Sequence, residues 1–128
     1  MTKGRIFTTL MVDGDFGAED ELEEFLKGEE HFVLKAESAE EALAMTRRFR
    51  PDLILLDGEM AGVSGLVLLP ELMLEHSTAA FIVLATTPRL SLAVRALRWG
   101  MVDVLDRPLD LKKLKLAIDA QKDLFELA

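Results

Sequence analysis

Pro51-Asp52-Leu53-Ile54-Leu55-Leu56-Asp57-Gly58-Glu59-Met60 is the stretch on which the reading of this chain turns. Leu53–Leu56 is apolar at every position, so it does not alternate as a half-exposed strand does. Arg50-Pro51 bounds it on one side and Asp57-Gly58 on the other, and the run is too short for a buried helix. An apolar run closed by turn residues suits a parallel strand covered by helices on both faces.

Four more short runs have the same character. Ile6–Val12 and Phe32–Ala36 precede it, and Phe81–Ala85 and Val102–Leu105 follow. Amphipathic stretches separate them. Phe16–Lys27 gathers Phe16, Leu22, Phe25 and Leu26 near one stripe, with Gly28 as its stop. Ser38 and Glu41 form a capping box for Ala39–Phe49, which Arg50-Pro51 ends. Gly65–His76 predicts a third helix, with Pro70 inside it costing a hydrogen bond and bending it. Ser91–Trp99 predicts a fourth, closed by Gly100, and Asp110 caps a fifth that runs towards Leu127. Five strand-then-helix units predict a single α/β domain over residues 1–128, a three-layer α/β/α sandwich around a five-stranded parallel sheet.

Composition narrows the function. Fifteen basic and 23 acidic residues give the 128-residue chain a net charge of −8. Residues 1–41 hold 12 acids and four bases, so the surplus lies wholly in the first third. Such a chain is poorly suited to nucleic-acid phosphates or anionic membranes. The absence of cysteine excludes disulfides, thiolate metal sites and a thiol nucleophile. Ile6–Val12 is too short for a signal peptide or a spanning helix, so a cytoplasmic domain is expected. His31 and His76 lack ligand spacing and are expected at the surface.

Ligands of open parallel sheets gather where strands end. The predicted strands leave through Asp13-Gly14-Asp15, Asp57-Gly58-Glu59, Ala85-Thr86-Thr87 and Asp106-Arg107-Pro108. If the first and third strands are neighbours, Asp13 and Asp57 face one shallow pocket with Arg107 beside it. Clustered carboxylates recruit a cation, and hard oxygen donors suit Mg²⁺ with a phosphate.

The chain resembles the receiver domains of two-component response regulators. The resemblance rests on Met11-Val12-Asp13, on Pro51–Asp57 followed by Met60 and Gly65, on Trp99-Gly100-Met101-Val102-Asp103 and on Arg107-Pro108-Leu109. It implies a flavodoxin-like sheet of order 2-1-3-4-5. It implies Asp57 as the acceptor of a phosphoryl group from a histidine kinase, and Mg²⁺ held by Asp13, Asp57 and the backbone carbonyl of Glu59. It also implies a phosphate clamp at Arg107 and a cis peptide before Pro108.

Several positions depart from the family pattern. Gly14 stands where a second acid normally ligates the metal, with Asp15 one residue late and Glu59 an extra carboxylate nearby. Ala85 occupies the switch threonine position and has no hydroxyl to donate, and Thr86 beside it points to the opposite face of the strand. Val104 replaces the switch aromatic, and Arg107 replaces a lysine. The expectation is therefore a divergent receiver with weak or absent Mg²⁺ binding and a degenerate switch. Its alternative is a pseudo-receiver acting as a phosphorylation-independent interaction module. A haloacid-dehalogenase-type phosphatase using Asp13 and Asp15 is a third reading, but its downstream lysine and acidic motifs are not evident. The chain is otherwise expected not to be an enzyme.

Expected partners are a histidine kinase or phosphotransfer protein. In receivers the first helix docks them, and here it carries Glu19, Asp20, Glu21, Glu23 and Glu24, which would select a basic surface. The face formed by the fourth helix, fifth strand and fifth helix permits a homodimer. No binding to nucleic acid or membrane is expected.

Overall fold

Central strands form where no face is left to water. The computed structural model describes residues 7–12, 19–57, 59–60, 63–76, 78–85, 102–106 and 110–127. Every residue of β3 (Leu53–Asp57) is buried. So is every residue of β6 (Ala80–Ala85). In β1 (Phe7–Val12) only Thr8 is less than buried. The outer strands β2 (His31–Ala36) and β7 (Val102–Asp106) carry polar residues such as Lys35 and Asp106 that reach solvent. The sheet runs β2-β1-β3-β6-β7, all parallel. This is the expected order 2-1-3-4-5, with a small separate hairpin of β4 (Glu59–Met60) and β5 (Val63–Ser64) inserted after β3.

Strand alternation sorts the core into two layers. Leu10, Ile54, Leu56, Phe81 and Val83 pack with Ala42 of α2 (Ala39–Phe49) and with Leu68, Leu69 and Leu72 of α3 (Gly65–Glu75). Phe7, Met11, Leu53, Leu55, Ile82 and Leu84 meet Leu22 and Leu26 of α1 (Glu19–Gly28) and Leu114, Ala117 and Ile118 of α4 (Leu111–Leu127). The three expected layers are therefore present. The helix expected over 91–99 lies outside the described residues.

The helix ends follow local chemistry at two predicted caps, and the third helix tolerates its proline. Ser38 Oγ accepts a hydrogen bond from the Glu41 N–H at 3.1 Å. Asp110 Oδ1 accepts from the Lys112 N–H at 2.9 Å. Pro70 is accommodated inside α3. The stop of α1 differs from expectation. Gly28 is the last helical residue and is not left-handed, whereas Glu30 takes φ 67°. The turn bonds Glu29 N–H to Phe25 O and Glu30 N–H to Lys27 O displace the reversal two residues on. Arg50 is the other left-handed residue among those described, at φ 48°.

Asp52 stitches the amino ends of three strands. Its Oδ2 accepts from the Thr8 N–H at 2.9 Å. Its own N–H donates to Thr8 O at 2.8 Å, and its carbonyl accepts from the Ala80 N–H at 2.9 Å.

Both histidines are buried, against the surface placement expected from sequence. His31 is 4% exposed and His76 8%. His31 opens β2 beside the Phe7 ring, and its Nδ1 shares a 2.6 Å hydrogen bond with Thr9 Oγ1. His76 Nε2 donates to Pro51 O at 2.8 Å. Both imidazoles are anchors between elements, each held through one nitrogen.

This placement carries a pH dependence. Burial, aided by the positive charge of Lys122, pushes the His31 imidazole down to about 4, against the opposing pull of Glu29, Asp52 and Asp119. Burial also lowers His76, with Arg50 adding to it. The unfolded chain takes up the His31 proton near the ordinary histidine value, and the folded chain only near 4. Stability from this group is therefore intact above about pH 6.5 and is lost as the pH falls towards 4. We expect a loss on the order of 2 kcal/mol over that window. Urea unfolding of wild type and His31→Gln at about pH 7 and about pH 4.5 isolates it from the carboxylates. The variant should lose less stability on acidification, and an equal loss in both proteins would refute the assignment.

Candidate functional site

The end of β3 brings a carboxylate to the rim of an apolar sheet. Asp57 is 5% exposed and is the last residue of that strand. Leu56 pairs with Val12 of β1, and Asp57 pairs with Leu84 of β6. Leu84 pairs in turn with Leu105, and Ala85 with Asp106. The carboxyl ends of β1, β3, β6 and β7 therefore lie in step. Alternation puts Asp57 on the face of Leu53 and Leu55, over α1 and α4, and Ala85 on the face of Phe81 and Val83.

The structure places five positions at or beside this rim. Asp57 and Ala85 end the adjacent strands β3 and β6, and Val104 lies two residues before the end of β7, opposite Val83. Asp106, exposed and opposite Ala85, adds a carboxylate to that end. Glu59 follows within two residues of Asp57, its backbone held in β4 opposite Ser64. Asp13, Asp15, Thr86, Arg107 and Pro108 lie outside the described residues, although Asp13 directly follows Val12 in the chain.

Ala85 and Val104 are 1% and 4% exposed and share one apolar cluster. Each offers only methyl groups, so neither supplies a donor or a ring at this end of the sheet.

The β4–β5 hairpin is not legible in the sequence. It runs from Asp57 to the start of α3 at Gly65 and replaces an open loop with two paired dipeptides. Strands of two residues have no periodicity to detect. The Ala61-Gly62 between them is a weaker hairpin signal than Asn-Gly or Asp-Gly.

The donor chemistry at this end is oxygen alone among the described residues. Neither histidine belongs to it, because His31 opens β2 and His76 bonds the carbonyl of Pro51 ahead of β3, both at the opposite end of the strands. Among the described residues no group of three or more histidines or carboxylates is poised to hold a metal. Asp57 with the neighbouring backbone suits a hard cation in its chemistry, and the remaining ligands expected from sequence fall on Asp13 and Asp15. Among the described residues no helix is long and apolar enough to cross a membrane.

Away from this end, α1 carries a fixed ion network. Glu23 bridges Lys27 and Lys35 at 2.7 Å each. These two ammonium groups hold its carboxyl at about 2. The acidic face is thus partly neutralised by neighbouring lysines, with Glu21 and Glu24 exposed beside them.

Comparison with known proteins agrees with this geometry. The sequence profile described as "Response regulator receiver domain" matches residues 9–119. The chain is 41% identical over 93 residues to protein-glutamate methylesterase/protein-glutamine glutaminase 2 of Burkholderia thailandensis, covering 72% of this chain and 26% of that protein. It is 31% identical over 119 residues to the transcriptional regulatory protein ZraR of Salmonella typhimurium, covering 93% of this chain and 27% of that protein. The chain thus spans about a quarter of the length of these relatives. The crystal structure of a response regulator receiver domain protein from Clostridium thermocellum superposes with a TM-score of 0.83 at 23% identity, covering 95% of this chain and 98% of that one. That last likeness concerns the fold.

Proposed function

The chain belongs to the response regulator receiver domain family, and on that premise we propose that Asp57 accepts a phosphoryl group from a histidine kinase or phosphotransfer protein. The observation that carries this is the position of Asp57, a carboxylate at the buried end of β3, level with the ends of the strands on either side. One Asp57 oxygen attacks phosphorus in line as the bond from phosphorus to the donor imidazole nitrogen breaks. The imidazole leaves with the electron pair and takes up a proton, and Asp57 becomes an acyl phosphate.

Asp13, Asp57 and the Glu59 carbonyl would hold Mg²⁺, which when bound supplies positive charge against the phosphoryl oxygens. Arg107 would clamp those oxygens as a planar fork. Gly14 leaves this donor set one carboxylate short of the family pattern, so Mg²⁺ is held weakly. In this role the domain is a relay element, and it hydrolyses no independent substrate.

The test is intact mass after incubation with a small acyl phosphate donor, with and without Mg²⁺. A mass gain of one phosphoryl group that rises with Mg²⁺ is expected. No gain even at high Mg²⁺ would sink the acceptor role.

A second reading is favoured by Ala85 and Val104. Without a hydroxyl or a ring at these buried positions, phosphorylation has few contacts that differ between two states, and a ligand shifts an equilibrium only through such differences. On that reading the domain is a pseudo-receiver that presents surfaces independently of phosphorylation.

A further inference from the structure

The carboxyl ends of β1 and β3 must lie level for Asp13 and Asp57 to share one cation, and the apolar pattern alone does not secure that. Before Asp57, β3 is leucine or isoleucine at every position, and β1 is apolar from Leu10 to Val12. Side chains alternate with a period of two, so a slip by two residues keeps each side chain in its own layer. It would also carry the residue after Val12 roughly 7 Å along the sheet. Mg²⁺ takes its oxygen ligands at about 2 Å, so two carboxylates displaced by that much cannot share it.

A polar contact at the opposite end of the same strands distinguishes the registers. The pairing of Leu53 with Thr9 and with Ala80, and the Ala80 N–H bond to Asp52 O, turn the Thr8 amide towards β3. In a regular parallel ladder its acceptor there is the carbonyl of Pro51. That carbonyl instead accepts from His76 Nε2 at 2.8 Å, and the chain before it turns away through the left-handed Arg50 that caps α2. The Asp52 carboxylate takes over the rung. Its Oδ2 accepts from the Thr8 N–H at 2.9 Å, while the Asp52 N–H donates to Thr8 O at 2.8 Å. A slip by two residues would set Thr8 opposite Arg50 or Ile54, and neither side chain has an acceptor. The β1–β2 pair has a separate pin, the 2.6 Å bond between Thr9 Oγ1 and His31 Nδ1.

We propose that Asp52 is a positioning residue for phosphoryl transfer. Its carboxylate pins β1 on β3 in the one register that brings Asp13 level with Asp57. This rests on the acceptor role of Asp57 and extends it to a side chain at the far end of the sheet, which touches neither the cation nor the phosphoryl group.

The test compares the whole chain as wild type, as Asp52→Asn, which keeps an acceptor oxygen, and as Asp52→Leu, which has none. Nuclear Overhauser signals between Val12 and Leu56 read the register without any phosphoryl transfer. Uptake from a small acyl phosphate donor is then followed by intact mass over a Mg²⁺ series, at a temperature where every variant is folded. In Asp52→Leu the Val12–Leu56 signals should be lost while those between β1 and β2 persist. Half-maximal uptake should need at least ~10-fold more Mg²⁺. Asp52→Asn should restore both readouts towards wild type. Lower stability alone moves neither readout in molecules that are folded. Asp52→Ala serves the same purpose should Asp52→Leu not fold, and unfolding of both would make the contact a requirement for folding and overturn the positioning role. Intact Val12–Leu56 signals or unchanged Mg²⁺ demand in a folded variant without the acceptor would overturn it, as would an Asp52→Asn as impaired as Asp52→Leu. Absence of uptake by the wild type would instead fail the acceptor role of Asp57, and the Val12–Leu56 signals would still decide the pin.

Discussion

Asp57→Asn is expected to abolish phosphoryl uptake from a small acyl phosphate donor, with or without Mg²⁺. Asparagine keeps the volume of aspartate at a position that is 5% exposed, but it lacks the carboxylate that would attack phosphorus. Asp106 does not replace it, because Asp106 stands opposite Ala85 on β7, two strands away. Asp13→Asn should instead leave modification detectable and blunt its dependence on Mg²⁺, since Asp13 would bind the ion and not the phosphoryl group. A phosphatase working through Asp13 and Asp15 predicts the reverse. Turnover of a generic phosphate ester would then vanish in Asp13→Asn and persist in Asp57→Asn. Intact mass and ester turnover on the two variants therefore separate the two chemistries, and an Asp57→Asn protein that still gains the phosphoryl mass would exclude Asp57 as the acceptor.

Phe81→Ala should be far more damaging to stability than Phe49→Ala, although both remove the same ring. Phe81 is 1% exposed, pairs with Ile54 and Val102, and fills the layer between the sheet and the α2 and α3 helices. The lost transfer free energy and the cavity left behind together cost about 3–5 kcal/mol. For a domain of this size that corresponds to a fall in Tm of roughly 15 °C. Phe49 sits at a 43% exposed site, and its truncation should cost less than about 1 kcal/mol. Thermal unfolding of the pair checks both statements. Similar losses in the two variants would mean that burial at position 81 is not what holds this layer together.

The apolar runs at Leu53–Leu56 and Phe81–Ala85 announce their strands because both faces are covered, and continuous burial demands continuous apolarity. Ser38 and Asp110 are legible as caps because capping is settled within a few residues. Asp57 stands out because a carboxylate ending such a run has few structural uses. Its resemblance to a known family implies the use.

The burial of the histidines is not legible in the same way, because it depends on what arrives from elsewhere in the chain. His31 is covered once Phe7 and Thr9 of β1 lie beside it, and His76 once Pro51 comes within hydrogen-bonding distance. The left-handed residue after α1 falls on Glu30 instead of Gly28 because the entry into β2 sets where the chain reverses.

Sequence alone thus determined the five strands of the main sheet, the two caps, the carboxylate that ends β3 and the absence of a threonine or aromatic at positions 85 and 104, since each follows from residue type and near neighbours. Only the tertiary structure decided which polar groups are buried and how Asp52 joins three strand ends. Those outcomes depend on contacts between residues far apart in the chain, which local patterns do not encode.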